Sequence, residues 1–178
     1  MRMHNRRVWI AGISLCTAVL ACSSVNAQVN LARERGVYYS YINDEGETVT
    51  PQEFGDAGMD LTDGKGRTGG VQATNVLRVR FDFTVPVSPK QVVVTRTSRK
   101  GKALAIIDRF KVYIGDDPGS LQTIITYDGH SNEYDKHSHD VTIDLPECRG
   151  RYLRIDAEGK RIAFREIEIL GPESEASA

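Results

Sequence analysis

One short segment of this sequence combines oxygen-bearing and small residues in a way that suits metal chemistry. It reads Asp60-Leu61-Thr62-Asp63-Gly64-Lys65-Gly66-Arg67-Thr68. The small residues allow a tight loop with inward carbonyls, while Asp63 supplies a carboxylate and Thr68 supplies a carbonyl and a hydroxyl. A hard cation such as Ca²⁺ takes about six to eight oxygen ligands from a flexible loop of this kind. With Glu166 to complete the charge balance, the segment predicts a calcium site.

The elements that would hold this loop are predicted to be β-strands. Beyond Gly36 the dominant hydrophobic period is two, and from Leu77 to Phe83 apolar residues alternate with charged ones. One face of such a strand is apolar and the other is wet. The same alternation returns in three later segments, at 110–114, 141–145 and 153–156. Two continuous apolar runs, at 92–94 and 124–125, are typical of strands covered on both sides.

Turn residues separate these segments. Gly, Asp and Pro cluster at Gly115-Asp116-Asp117-Pro118-Gly119, and another turn signal stands at Asp128-Gly129. No stretch of the sequence keeps a helical period. The fold class is therefore predicted to be all-β, with two sheets packed as a sandwich.

The final apolar segment changes phase part-way along. Ile162 and Phe164 have one parity, whereas Ile167 and Ile169 have the other. A slip of one residue moves an apolar set to the opposite face of a strand, so the ladder must be interrupted between the two pairs. A bulge or bend is predicted near Arg165 and Glu166, and it would turn a carboxylate and a carbonyl out of the ladder.

Several stretches of the chain together resemble a known superfamily. They are Asn30-Leu31-Ala32 leading to Gly36 and Tyr38, then Gly58-Met59-Asp60-Leu61-Thr62-Asp63-Gly64, then Arg151-Tyr152-Leu153-Arg154-Ile155, then Glu166-Ile167-Glu168-Ile169. They resemble the galactose-binding-like superfamily of discoidin domains, coagulation-factor type C domains and bacterial carbohydrate-binding modules. The resemblance covers nearly the whole chain after residue 27. It implies a jelly-roll β-sandwich of about eight strands, with a structural Ca²⁺ between the Asp-Gly loop and the final Glu-Ile-Glu strand.

The resemblance also implies a set of calcium ligands. They are the carbonyls of Asp60, Lys65 and Arg165, the carboxylates of Asp63 and Glu166, and the hydroxyl and carbonyl of Thr68. Such an ion would be structural and would tie the ends of the sandwich together. In the alternative interpretation, Asp63-Gly64 only forms a turn and Glu166 is a solvated strand residue. Gly69-Gly70 stands where the superfamily often has a tryptophan after this threonine.

A shallow sugar site in the loops at one end of the sandwich is a further implication of the resemblance. In such a site an aromatic ring covers the apolar face of a pyranose, and polar side chains bind its hydroxyls. The predicted ligand-binding residues are Arg99, His130, Asn132 and Tyr134. A solvated loop without a ligand is one alternative. Another is a zinc site, in which His137 and His139 would act with His130 or Asp135.

The first 27 residues follow the plan of a secretory signal peptide. A basic start precedes an apolar run that ends at Cys22, and small residues lead to Ala27. Cleavage after Ala27 is favoured, and lipidation of Cys22 is the alternative. The apolar run is shorter than the roughly 20 residues of a membrane-spanning helix, so we expect a secreted or periplasmic protein with no transmembrane segment. Residues 28–171 are predicted to form one domain, followed by a small, acidic, disordered tail at 172–178.

The net charge and the motifs limit which partners and activities are expected. Three of the 23 basic residues and none of the 24 acidic residues lie within residues 1–27. The remaining chain is net acidic, so nucleic acid and anionic membranes are not expected as partners. The sequence has no Gly-x-Ser-x-Gly elbow and no His-Glu-x-x-His pair. Cys148, the one cysteine left after residue 27, is interpreted as a packing residue, with a catalytic nucleophile as the alternative.

These observations favour a binding protein over an enzyme. The sequence predicts a non-catalytic carbohydrate-binding or adhesion module with a structural calcium ion and a glycan partner. The alternative is a module of the same fold that docks an envelope protein and has no sugar site. A broad, flat apolar patch would favour the second, whereas aromatic rings beside Arg, His or Asn would favour the first.

Overall fold

Strands make up nearly all of the computed structural model, which describes residues 28–55, 60–64, 69–96, 98–99, 102–103, 107–128 and 140–172. They are β1 (Val29–Asn30), β2 (Tyr38–Ile42), β3 (Thr48–Val49), β4 (Gln52–Gly55), β5 (Gly69–Val87), β6 (Gln91–Arg96), β7 (Ser98–Arg99), β8 (Lys102–Ala103), β9 (Arg109–Gly115), β10 (Gln122–Asp128), β11 (Asp140–Asp144) and β12 (Gly150–Gly171). A short 3-10 helix, Leu31–Arg33, follows β1. The predicted signal sequence, at 1–27, and the predicted tail beyond residue 172 lie outside the described residues. Within the described ranges, no helix has the length and hydropathy needed to cross a membrane.

Two strands, β5 and β12, are much longer than the rest because each belongs to both layers of a sandwich. Residues 152–158 of β12 pair with β5 on one side and with β9 on the other. Residues 166–170 of the same strand pair with β6. The first layer therefore runs β10-β9-β12-β5-β2-β3, and the second is built on β11, β6 and the end of β12. The described residues form more strands than the eight or so that a jelly roll implies. The difference comes from short strands such as β3 and β4.

The apolar faces of the two layers meet in one core. The alternating segment at 77–83 directs its apolar side chains inward, as predicted. Across the sandwich, Phe110 stacks on Phe164 with ring centroids 6.1 Å apart. Burial of one such side chain stabilises the fold by about 1.5–3 kcal/mol. The largest fully buried side chains are Phe81, Phe83, Phe110, Phe164, Leu31, Leu61, Ile107, Ile143, Leu153, Ile155, Ile162 and Ile167.

Strand pairing confirms one detail of the sequence analysis and corrects another. The predicted interruption near Arg165 is confirmed, because the register between β12 and β6 shifts between Phe164 and Glu166. The interpretation of residues 124–125 as a strand covered on both sides is wrong. Both isoleucines are only half-buried, and β10 lies at the edge of its layer. The register shifts between Thr123 and Ile125, and such a bulge turns two consecutive side chains partly inward, which resembles a covered run in the sequence.

β5 and β12 pass from one layer to the other at a corner, which we define by Asn75 of β5 and residues 159–162 of β12. The register between the two strands shifts within 159–162. Asn75 has a positive φ of 73°, a conformation that asparagine adopts more readily than most side chains. The chain therefore bends here without losing the pairing of its two longest strands.

The strands that flank the predicted ligand-bearing connections also reach this corner. Arg96, the last residue of β6, lies opposite Phe164 just past the corner, and Arg109, the first residue of β9, lies opposite Glu158 just before it. β10 ends beside Arg109, and β11 begins beside the end of β6. The connections 97–108 and 129–139 therefore start and end at the corner.

Candidate functional site

The loop at 60–64 is held against β12 by hydrogen bonds. The Asp60 Oδ1 atom accepts hydrogen bonds from the Thr62 backbone N at 2.9 Å and from the Thr62 hydroxyl at 2.8 Å. This pair of bonds closes an Asx-type turn. Leu61 is fully buried, and its carbonyl accepts a hydrogen bond from the Ile167 backbone N at 2.7 Å. The loop is thereby placed directly beside the β12 bulge.

Glu166 is the buried centre of this region, with 5% of its surface exposed. Its Oε1 atom accepts hydrogen bonds from the Gly64 N and from Arg33 Nη2, both at 2.8 Å. Its Oε2 atom is buried and has no hydrogen-bond partner among the described residues. Burial raises the pKa of Glu166, and the charge of Asp63 adds to this, while the bonds from Arg33 and Gly64 act in the opposite direction. The interpretation of Glu166 as a solvated strand residue is wrong.

Arg33 supplies a cation that the sequence analysis did not predict. Its Nε donates to the Thr62 carbonyl at 2.6 Å, and its Nη2 lies 3.6 Å from Glu168 Oε1. One guanidinium thus lies close to the carboxylates of both Glu166 and Glu168. A buried carboxylate oxygen that has no hydrogen-bond partner among the described residues suits a divalent cation that prefers oxygen ligands. The residues present therefore fit Ca²⁺.

The structure brings four of the six predicted metal residues into one region. Asp60 and Asp63 lie in the loop, and Arg165 and Glu166 lie at the bulge beside it. The other two, Lys65 and Thr68, lie outside the described residues. In the part of the chain that the structure describes, no group of three or more His, Cys, Asp or Glu side chains could hold a metal.

Gly70 lets the start of β5 approach the same bulge. A Cβ atom at Gly70 would lie 1.9 Å from the Phe164 carbonyl oxygen, far inside van der Waals contact. Only glycine permits the two backbones to come this close. The second glycine of the Gly69-Gly70 pair therefore has a packing role beside the predicted metal loop.

A groove of about 320 Å³ opens beside the corner, between β5 and the residues that join β3 to β4. We call it the corner groove, and it is lined by Tyr41, Ile42, Val49, Thr50, Pro51, Gln52, Gln72, Ala73, Thr74, Val76, Leu77 and Arg78. Gln52 and Gln72 lie directly opposite each other on β4 and β5. Amides, hydroxyls and a guanidinium beside an apolar wall can bind a small polyhydroxylated molecule. Arg78 is oriented at its edge by ion pairs with Asp44 and, at 3.5 Å, with Asp156.

Comparison with models of protein families gives no match, and comparison with curated proteins gives none either. Solved structures do match. The module CpGH89CBM32-6 of Clostridium perfringens aligns with a TM-score of 0.54 and 16% identity, over 79% of this chain and 98% of that one. The C-terminal domain of a chitobiase from Bacteroides fragilis aligns with a TM-score of 0.55 and 13% identity, over 80% of this chain and 96% of that one.

A third solved structure carries a sugar. The family 32 carbohydrate-binding module of NanJ from C. perfringens, in complex with galactose, aligns with a TM-score of 0.50 and 10% identity, over 75% of this chain and all of that one. The chain has the galactose-binding-like fold. The jelly-roll sandwich predicted from the sequence is therefore confirmed.

Within this galactose-binding-like fold, the predicted sugar-binding residues belong to the two connections at the corner. Arg99 lies in β7, where its backbone pairs with Lys102 of β8. His130, Asn132 and Tyr134 lie outside the described residues, as do the zinc alternatives His137 and His139. Their roles stay predictions.

Cys148 packs against the core of the galactose-binding-like sandwich. It is half-buried, and its Sγ lies 3.8 Å from the Pro89 carbonyl oxygen. Burial raises the pKa of its thiol, and the charge of Lys90 opposes this. Because the thiolate is the reactive form of cysteine, a raised pKa disfavours a nucleophile here.

Proposed function

We propose that this domain binds carbohydrate at the corner of its sandwich. The observation that carries the proposal is the corner groove, which lies along β5 beside the corner. The strands that flank the predicted ligand-bearing connections reach the same corner through their pairing with β12. The fold supports the proposal, because the similar solved structures include carbohydrate-binding modules, one of them in complex with galactose. The module itself is proposed to be non-catalytic.

The side chains of the corner groove suit a sugar. The opposed amides of Gln52 and Gln72 offer donors and acceptors at one place, and each sugar hydroxyl can use both. Thr50 and Thr74 add hydroxyls, while Val76 and its neighbours form an apolar wall for the ring. The volume of about 320 Å³ lies near the lower limit of small-molecule sites, roughly 300–1,000 Å³. We therefore expect a short, neutral glycan.

The residues predicted from the sequence, Arg99, His130, Asn132 and Tyr134, are proposed to bind the same glycan. Arg99 would supply a planar donor. Tyr134 would supply an exposed aromatic ring, because the one aromatic side chain among the described residues that line the groove, Tyr41, faces inward. Aromatic rings contact the apolar face of a pyranose, whereas amides and imidazoles bind its edge. We therefore propose that Tyr134 contacts the face of the sugar ring and that His130, Asn132 and the groove amides bind its hydroxyls.

The test is a glycan array with the chain from residue 28 to 178, in calcium and in chelator. Gln72→Ala removes one of the opposed amides, and Tyr134→Ala removes the predicted ring. Gln122→Ala is the matched control, since Gln122 is exposed on the edge strand β10. We expect specific glycan binding that both site variants weaken and the control variant keeps.

A blank array from a folded, cooperatively unfolding protein would contradict the proposal. It would favour the alternative of a module that docks an envelope protein. Binding that survives in Gln72→Ala but is lost in Tyr134→Ala would move the site from the groove to the 129–139 connection.

We also propose that Ca²⁺ binds between the 60–64 loop and β12. Asp60, Asp63, Arg165 and Glu166 would hold it, together with the predicted residues Lys65 and Thr68. The ion would stabilise the loop against the sheet and would not react with a ligand. Glu166 Oε2 supports this, because it is buried and has no hydrogen-bond partner among the described residues. Calorimetric titration with calcium tests it directly, and a titration without heat or stabilisation would contradict it.

We propose further that the protein is exported, as the signal pattern of residues 1–27 predicts. Cleavage after Ala27 gives a chain that begins at Gln28, whereas lipidation gives a chain that begins at Cys22 and carries acyl groups. Intact-mass measurement of the protein recovered from an expressing bacterium distinguishes the two. A mass that includes residues 1–27 would contradict export.

A further inference from the structure

Two arginines lie directly opposite each other on the outer face of the first layer. Arg80 of β5 pairs in register with Arg154 of β12. The next residues along the same row are Ser40 on one side and Tyr113 on the other. No carboxylate therefore lies opposite either arginine in this row. Like charges directly opposite each other destabilise a sheet, so this arrangement costs stability in the free protein.

Arg154 is held in place by two contacts. Its guanidinium lies over the Tyr113 ring, with the Cζ atom 4.0 Å from the ring centroid. Its Nε lies 3.0 Å from Asp156 Oδ1, and only 4% of Asp156 is exposed. The ring contact and the ion pair restrict Arg154, although its buried Nε has no hydrogen-bond partner among the described residues. An arginine restricted in this way is partly pre-organised to receive an anion.

Arg80 has no counter-ion among the described residues. The nearest carboxylate in the adjacent row is that of Asp82, which lies 3.4 Å from Arg151 Nε. On the other side, Asp156 is engaged by Arg78 and Arg154. Among the described residues, the charge of Arg80 is therefore unpaired, whereas Arg154 shares the Asp156 carboxylate with Arg78.

Tyrosines surround this pair. Tyr38 and Tyr152 flank Asp82 in the adjacent row, and Tyr38 is 72% exposed. The Tyr113 ring lies under Arg154. The outer face of the first layer thus presents arginine side chains beside tyrosines. Guanidinium groups bind carboxylates through paired hydrogen bonds, and aromatic side chains pack on sugar rings.

We propose that Arg80 and Arg154 form a second carbohydrate subsite, which binds the carboxylate of an acidic sugar residue in a polysaccharide. Tyr38, whose side chain is exposed, would contact the ring of that residue or of its neighbours. This subsite lies on the sheet face and does not rest on the corner groove, so either can fail without the other.

An acidic sugar fits this face better than an acidic protein does. Protein interfaces need a desolvated apolar centre. Among the described residues, the exposed large apolar side chains are Tyr38 and Val49, and Val49 belongs to the corner groove. Tyr38 is thus the one of these two that lies on the face around Arg80, and a single exposed ring is smaller than the desolvated centre of a protein interface.

The test is calorimetric titration with trigalacturonate, galactotriose and citrate. The first is an acidic sugar, the second its neutral counterpart and the third a carboxylate without a sugar. We expect the protein to prefer trigalacturonate, and we expect added salt to weaken the binding. Arg80→Gln should weaken it about tenfold or more, because a paired, charge-assisted bond is lost.

Arg149→Gln is the matched control, since Arg149 is exposed and precedes β12, away from the pair. It removes the same charge and should leave the affinity for trigalacturonate unchanged. Arg80→Gln should also melt at or above the wild-type temperature, because it removes the like-charge opposition. Unchanged binding in Arg80→Gln overturns the proposal, and so does citrate bound as tightly as trigalacturonate, which would mark a general anion site.

Discussion

Glu166→Gln tests the calcium proposal at the atom that supports it. The substitution keeps the shape of the side chain and removes its charge. In the wild type, Oε1 receives hydrogen bonds from Gly64 and Arg33, and Oε2 is buried without a partner among the described residues. The glutamine side chain keeps an acceptor for those donors and places an amide group where the partnerless oxygen was.

The expected effect in chelator is small. The bond from Gly64 becomes neutral and the ion pair with Arg33 becomes a hydrogen bond from a cation to an amide. This costs about 1–2 kcal/mol, discounted because the Arg33 side chain is 41% exposed to solvent. The substitution also removes the cost of burying a carboxylate. Because these contributions oppose each other, the free energy of unfolding at neutral pH should change by less than about 1 kcal/mol.

The expected effect in calcium is large. A site occupied at 100 times its Kd stabilises the wild type by about 2.7 kcal/mol, which raises Tm by roughly 10 °C in a domain of this size. Glu166→Gln removes a charged ligand, so most of this rise should disappear.

Circular dichroism melts in saturating calcium and in chelator measure both effects. Glu168→Gln is the matched control, because Glu168 also lies near Arg33 but is more exposed and is not a predicted ligand. It should keep the calcium-dependent rise. An equal calcium-dependent rise in Tm in the wild type and in Glu166→Gln would refute the ligand assignment. A wild-type Tm that is the same in calcium and in chelator would refute it as well.

Three further predictions follow from the same contacts. Burial raises the pKa of Glu166 above its ordinary value of 4.5, so in chelator the folded state binds this proton more tightly than the unfolded state does. The free energy of unfolding should therefore fall as pH rises through 4.5 and above. Glu166→Gln should flatten that part of a plot of stability against pH, and a wild-type curve that rises there would contradict the prediction. Gly70→Ala should prevent or severely weaken folding, since its Cβ would meet the Phe164 carbonyl oxygen at 1.9 Å, whereas Gly119→Ala meets only Asp117 at 3.5 Å and should melt like the wild type. Phe164→Ala should lower the free energy of unfolding, measured in urea, by about 3–5 kcal/mol, because it removes the ring that stacks on Phe110 and leaves a cavity. A loss below about 1 kcal/mol would show that neighbouring side chains fill the cavity.

The sequence by itself determined the class of the fold. Alternation at 77–83 predicts which face of β5 is buried, because side chains of a strand point to opposite faces with a period of two. The phase change between Phe164 and Ile167 predicts the bulge for the same reason, and the register of β12 confirms it. Both are local properties, readable within one strand. The wrong interpretation of residues 124–125 shows the limit of such reasoning. A bulge at a sheet edge and a strand covered on both sides produce the same short apolar run in the sequence.

The tertiary structure alone decided which distant residues meet. Arg33 and Glu166 are 133 positions apart, and only the packing of the short helix on β12 brings them together. The opposition of Gln52 to Gln72, and of Arg80 to Arg154, depends on strand register. Register across a sheet is set by the fit of whole apolar faces and not by the residues that end up paired on the wet side. The groove and the arginine pair therefore leave no local signature, whereas the strands that carry them do.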